Sequence, residues 1–137
     1  MRSVKISDYM ARKLVCFRAE TNVYEAMQEL LDNRISGAPV VNEAGELVGI
    51  ISEVDLMQVI TRGSYYDDMG GIVGDYMHFP VDTVPMDLDI YSLAEKFIHE
   101  GRRRFPVLNQ GKLVGQISRR NVLEAIRQAL AEKRPKR

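Results

Sequence analysis

The sequence lacks most of the features that would tie a chain to a special compartment or a special chemistry. Cys16 is the only cysteine, so no disulfide can close within the chain and nothing asks for an oxidising environment. The opening residues, MRSVKISDYM, have no apolar centre of the kind a signal peptide needs, and no run approaches the roughly 18 apolar residues of a membrane span. The expectation is a soluble cytoplasmic protein with no membrane association. Excess charge is missing too: 19 Lys and Arg face 19 Asp and Glu, which argues against a surface built throughout for nucleic acid. HExxH and CxxC are absent, and His78 and His99 have no Cys or Glu at metal-ligand spacing, so no metal site is expected. Gly111-Lys112 runs into Leu113 instead of Ser or Thr and is no P-loop, and nothing resembles a nucleophile elbow. The expectation is that the chain is not an enzyme and needs no catalytic cofactor.

What is present is an internal repeat. Asp8-Tyr9-Met10 recurs as Asp75-Tyr76-Met77, Val23-Tyr24 as Ile90-Tyr91 and Pro39-Val40 as Pro106-Val107, all 67 positions apart. Beyond one deletion the spacing becomes 66, matching Leu47-Val48-Gly49 to Leu113-Val114-Gly115 and Ile51-Ser52 to Ile117-Ser118. The copies run over about 1–61 and 68–132, with 62–74 as linker and start of the second copy, and 133–137 as a basic tail read as disordered. The glycines of the linker suggest mobility, Tyr65-Tyr66 suggests packing, and Asp67-Asp68 reads as a solvated acidic pair.

Each copy changes period in the same order. Val23, Ala26, Met27, Leu30 and Leu31 fall at helical spacing after Thr21-Asn22, and Ile90, Leu93, Ala94, Phe97 and Ile98 repeat the stripe after Asp89. Two short apolar runs follow in each copy, joined by Asn42–Glu46 in the first and by the shorter Asn109–Lys112 in the second, which accounts for the change of spacing. Helical spacing then returns from Glu53 and from Arg119. With Leu14–Phe17 and Val81–Val84 as first extended pieces, each copy reads β-α-β-β-α, an α+β class. Three short strands and one-sided helices leave a single copy with too little core, so the copies are expected to pack together with pseudo-two-fold symmetry and to leave two clefts.

The residues that carry chemistry sit where the last strand of each copy meets its helix. Ser52 with Asp55 three residues on is a complete helix cap in itself. The same helix start also offers N–H groups and a hydroxyl to a phosphate, and a carboxylate to the two hydroxyls of a ribose. The second copy carries Ser118 and Asn121, with Arg119 and Arg120 in the first helical turn, where cations oppose the helix dipole. Either these arginines swing into solvent or an anion is near. From His99 to Asn121 stand six basic residues and one acid, while from Arg62 to Ile98 two basic residues face seven acids, so neutrality is a cancellation between adjacent segments. Gly49 and Gly115 lie inside strands, where glycine permits close approach of a backbone or a ligand.

The segments Pro39-Val40-Val41-Asn42 … Gly45-Glu46-Leu47-Val48-Gly49-Ile50-Ile51-Ser52-Glu53-Val54-Asp55-Leu56 and Arg104-Phe105-Pro106-Val107-Leu108 … Lys112-Leu113-Val114-Gly115-Gln116-Ile117-Ser118-Arg119-Arg120-Asn121 resemble a tandem pair of cystathionine β-synthase (CBS) domains. The resemblance covers nearly the whole chain and implies a stand-alone Bateman module. Such a regulatory unit binds an adenosine nucleotide or adenosyl compound of the AMP, ADP or ATP class, and usually forms a homodimer whose four repeats make a flat disc. It implies ribose and phosphate contacts for Ser52 and Asp55, with Arg103 and Arg104 joining them in one composite site; Ser118, Asn121, Arg119 and Arg120 are the candidate ligand contacts at the matching turn of the second copy. It also matches Val15, Ala38, Ile51, Thr83, Phe105 and Ile117 to the walls of an adenine pocket, for which core packing is an equal explanation. The partners implied are the small adenosyl ligand, a second copy of the chain and an effector protein. The alternatives from other classes are a nucleic-acid-binding protein that uses the arginine-rich repeat and basic tail, and a ligand-free dimerisation or interaction adaptor.

Overall fold

The computed structural model describes residues 4–62 and 70–133. Tyr65-Tyr66, Asp67-Asp68 and the tail beyond Lys133 lie outside the described residues, as do the expectations placed on them. The fold is the expected α+β arrangement of small sheets and four helices.

Polar side chains start the first helix of each repeat. Asn22 accepts the backbone N–H of Tyr24 to begin α1 (Val23–Asn33), and Asp89 accepts that of Ser92 to begin α3 (Ile90–Glu100). The carboxyl of Asp89 is thereby held below the usual carboxylate range, first by the Ser92 N–H and then by its hydroxyl. Both helices end on a left-handed residue, Arg34 (φ 55°) and Gly101 (φ 64°).

An antiparallel hairpin follows in each repeat. In the first, β1 (Gly37–Val41) pairs with β2 (Leu47–Ser52) around a turn in which the Asn42 side chain accepts the N–H groups of Ala44 and Glu46. In the second, β4 (Arg104–Asn109) pairs with β5 (Lys112–Ser118) through Gln110 (φ 52°) and Gly111 (φ 81°), the backbone of a tight two-residue hairpin. Helix α2 (Glu53–Thr61) and helix α4 (Arg119–Lys133) follow their strands without a break.

The first extended piece of each repeat is shorter than expected. Leu14–Phe17 contributes one parallel bridge, in which the Phe17 N–H donates to Pro39 O (3.0 Å) and the Val41 N–H donates to Phe17 O (2.8 Å). Its counterpart is β3 (Val84–Pro85), parallel to β4. The reason lies in the neighbouring strand: the next donor a parallel ladder needs is the N–H of residue 39 or 106, and both are proline.

The compact units do not share the boundaries of the repeats. One unit is Leu14–Val81, and the other joins Met1–Lys13 to Asp82–Arg137. The segment around Asp75-Tyr76-Met77 thus belongs with the hairpin of the first repeat, where His78 and Ile50 exchange backbone hydrogen bonds of 2.8 and 3.0 Å. The segment around Asp8-Tyr9-Met10 belongs with the second hairpin, where Ala11 and Gln116 exchange two of 2.9 Å. Val73 and Tyr76 enter a core with Val23, Ala26, Val40 and Ile51, whereas Ile6 and Met10 enter one with Leu93, Phe105, Val107 and Ile117.

Glycine makes this docking possible. A Cβ at Gly115 would lie 2.6 Å from the Met10 sulfur and 2.8 Å from the Ala11 carbonyl oxygen, and one at Gly49 would lie 2.7 Å from the Met77 sulfur and 3.1 Å from the His78 carbonyl oxygen. The methionines can yield; the backbones cannot. Gly115→Ala is therefore expected to destabilise by about 1–3 kcal/mol in thermal or denaturant unfolding, the usual scale for overpacking. Gly49→Ala should cost less, and Met10→Ala should recover only part of the Gly115→Ala loss. Equal costs for the two glycine variants would contradict this account.

Candidate functional site

The turn from β2 into α2 is a closed capping box. The Asp55 N–H donates to Ser52 Oγ (3.3 Å), and Asp55 Oδ2 accepts both the Ser52 N–H (2.8 Å) and the Ser52 hydroxyl (2.9 Å). Asp55 is the only buried charged residue among those described, 1% exposed. Its second oxygen, Oδ1, is buried without a well-formed hydrogen bond, and the close contact it does make is with Nε2 of His78. The imidazole itself is 65% exposed, so His78 stands between this carboxylate and solvent.

The turn from β5 into α4 repeats the geometry with different groups. Asn121 Oδ1 accepts the Ser118 N–H (2.8 Å) and hydroxyl (2.9 Å), and the Asn121 N–H donates to Ser118 Oγ (3.2 Å). Asn121 is half-buried, not sealed, because Ala11 occupies the place that His78 holds in the other unit. The amide nitrogen of Asn121, a double donor, has no partner among the described residues.

Strand pairing gathers the arginines at this second turn. Arg104 stands opposite Ser118 in the hairpin, and the Arg119 N–H donates to Arg103 O (3.1 Å). Arg103, Arg119 and Arg120 are exposed and Arg104 is half-buried. Among the described residues none of these four has a carboxylate partner. The matching positions of the other turn are Ser36, Gly37, Glu53 and Val54, with Gly37 opposite Ser52 and the Glu53 N–H donating to Ser36 O (2.9 Å). The four positions of the Ser52–Asp55 turn that match the arginines thus carry no cation, while Ser118 and Asn121 share one unit with all four arginines.

Arg102, which adds to the basic stretch in sequence, is spoken for. Its Nε lies 3.3 Å from Asp82 Oδ2 and 3.8 Å from Glu100 Oε1, and Lys96 Nζ lies 3.1 Å from Asp82 Oδ1 and 2.7 Å from Glu100 Oε2. Asp82 is held below the usual carboxylate range, first by its hydrogen bond with Glu100 and then by Lys96 and Arg102. Lys96 is pushed up, first by its hydrogen bond with Glu100 and then by Asp82. Of the residues matched to an adenine pocket, Ala38, Ile51, Phe105 and Ile117 are fully buried in the cores of their own units; Val15 and Thr83 keep partial exposure and have surface to offer.

By spacing alone His78 stands out only as a metal ligand without partners, not as a neighbour of Asp55. The signal that could have found it is the repeat itself: the position after Asp-Tyr-Met is Ala11 in one copy and His78 in the other. Among the described residues no group of three or more His, Cys, Asp or Glu is placed to hold a metal ion, and no helix is long and apolar enough to cross a membrane.

Residues 6–62 and 73–128 match the CBS domain, and the chain belongs to that family as a tandem pair. It is 30% identical over 148 residues to the CBS domain-containing protein CBSX1 of Arabidopsis thaliana chloroplasts, covering 88% of this chain and 63% of that one. It is 29% identical over 126 residues to the uncharacterised protein MK0525 of Methanopyrus kandleri, again covering 63% of the relative and 90% of this chain. The chain thus spans less than two thirds of these relatives. The crystal structure of Arabidopsis CBSX2 in complex with AMP superposes with a TM-score of 0.73 at 29% identity, covering 95% of this chain and 98% of that one.

The unequal burial of the two caps has a measurable consequence. Ser118→Ala removes an ordinary cap and should cost about 1 kcal/mol. Ser52→Ala also strips a donor from a buried carboxylate and should cost roughly 1–3 kcal/mol more. Chemical denaturation of the two variants checks the order, and a larger loss for Ser118→Ala would contradict it.

Proposed function

We propose that the chain is a ligand-sensing module that binds an adenosine nucleotide and acts through the conformation or contacts it then adopts, with no catalysis of its own. The observation that carries this reading is the set of four arginines at the Ser118–Asn121 turn that have no carboxylate partner among the described residues. Cations in the first turn of a helix are unfavourable unless an anion is bound there. Guanidinium groups suit phosphate because they can donate two parallel N–H bonds. The Asn121 amide, whose N–H donors have no partner among the described residues, is proposed to meet a hydroxyl of the sugar. Membership in the CBS family, and a relative of similar fold in complex with AMP, favour adenosine over other nucleosides. Ser52 and Asp55 form the second position of the same geometry, with an acceptor in place of the donors. Val15 and Thr83 are the surfaces proposed to meet the base.

The second part of the proposal is a homodimer. Tyr24, Leu31, Met57 and Ile60 are exposed along α1 and α2, and Tyr91, Ile98, Leu123 and Ile126 repeat them along α3 and α4. Two apolar faces at repeat-related positions suit a partner that presents the same pair, as in an isologous assembly. A second copy of this chain is that partner; an effector protein is then contacted elsewhere.

Two experiments test these statements. In calorimetric titration AMP is expected to bind saturably, and Arg103→Gln with Arg104→Gln should weaken AMP by at least tenfold while leaving adenosine nearly unchanged, since charged hydrogen bonds contribute about 1.5–3 kcal/mol. No binding of any adenosine compound, or an equal loss for adenosine and AMP, refutes the reading. Affinity for oligonucleotides that exceeds AMP affinity and falls steeply with salt favours the nucleic-acid alternative instead. In light scattering the chain should have the mass of a dimer and Leu31→Glu with Ile98→Glu that of a monomer; an unchanged mass rejects the helical faces as the interface.

A further inference from the structure

We propose that His78 is a gate on Asp55 that makes the two halves of the protein unequal, so that AMP first fills one position per chain, the one at Asn121, and reaches the Asp55 position only when His78 is displaced. The inference rests on the nucleotide reading above and concerns the regulation of its sites.

Three observations carry it. The first is burial: Asp55 is 1% exposed, and its Oδ1, the atom with capacity to accept from a ribose hydroxyl, is turned to His78 Nε2. The other oxygen is already committed twice to Ser52. A hydroxyl can reach this carboxylate only by replacing the imidazole. The second is the comparison between the units. His78 is held at its place by paired backbone hydrogen bonds with Ile50, and Ala11 by paired bonds with Gln116, yet the alanine methyl cannot reach Asn121 as an imidazole reaches Asp55. One cap is covered and the other open by a single side chain. The third is charge. Glu53 stands where the open turn has Arg119, and Ser36 and Gly37 stand where it has Arg103 and Arg104. At these matched positions the covered turn offers a phosphate no guanidinium.

The backbone of His78 is fixed by the sheet, but its exposed ring can rotate away without breaking that pairing. Displacement of the ring is thus a local event. It converts occupancy of the Asp55 position into a second response, separated in concentration from the first.

Titration calorimetry with AMP on the full chain tests the gate. The wild-type protein is expected to bind one AMP per chain in the first transition, and His78→Ala, which installs the residue found at the matching position, is expected to bind two. Asn121→Ala should lower the first affinity at least tenfold. Two equal sites in the wild type, or an unchanged stoichiometry in a folded His78→Ala variant, overturns the gate while leaving nucleotide binding intact; absence of any AMP binding overturns both. Should His78→Ala fail to fold, imidazole nitrogen spectra of the wild type decide: the His78 Nε2 resonance should stay in place through the first equivalent of AMP and move only beyond it. A shift that saturates with the first equivalent refutes the proposal.

Discussion

The structure depends on two places where a side chain is absent. At Gly49 and Gly115 the strand surface is low enough for another stretch of backbone to lie against it, with a methionine sulfur seated over the glycine. That approach adds a neighbour to the edge of each hairpin and carries Val73 and Tyr76, or Ile6 and Met10, into the cores. It also decides which side chain overlooks each capping turn. The residue after the methionine is the one that pairs with the strand, so its identity, His78 or Ala11, is projected onto the start of the following helix.

The two capping turns show how one backbone solution can serve two chemistries. Both use a serine that gives its N–H and hydroxyl to an oxygen three residues later. When the oxygen belongs to an aspartate, a second oxygen remains and must be answered, and an imidazole answers it. When it belongs to an asparagine, two N–H donors remain, and Arg103, Arg104, Arg119 and Arg120 stand at neighbouring backbone positions of the same unit. The chain is electrically neutral as a whole. That neutrality conceals one turn with a buried carboxylate and one with four arginines that have no carboxylate partner among the described residues.

Much of the fold could be read from the residues. The stripes from Val23 and Ile90, the caps at Asn22 and Asp89, the hairpin turns and the caps at Ser52 and Ser118 all depend on neighbours within a few positions, which periodicity and turn chemistry report directly. The partition into compact units could not be read that way. An apolar face in sequence says that a segment is buried, not beneath which strand, and Ile6 and Met10 are buried beneath strands that lie a hundred residues away in the chain. The short first strands depend on the partner's prolines, Pro39 and Pro106, and a segment does not carry its partner's donors. Similarly, Arg102 looks like its neighbours in a run of arginines and differs from them only because Asp82 and Glu100 fold beside it.

The exchange of N-terminal segments also orders events during synthesis. Leu14–Val81 is continuous in the chain and can close as soon as it has emerged. The other unit begins with Met1–Lys13 but has no sheet to receive that segment until β5 has been made; its Tyr9–Gln128 hydrogen bond spans 119 positions. The segment that carries Ile6 and Met10 is therefore made well before the strands that receive it, and both must wait as exposed apolar side chains beside a unit already folded. Non-local pairing of this kind is slow to form and open to misassembly. A chain that contains two copies of the same hairpin has, for that interval, a second glycine-lined strand edge that the waiting segment must not take.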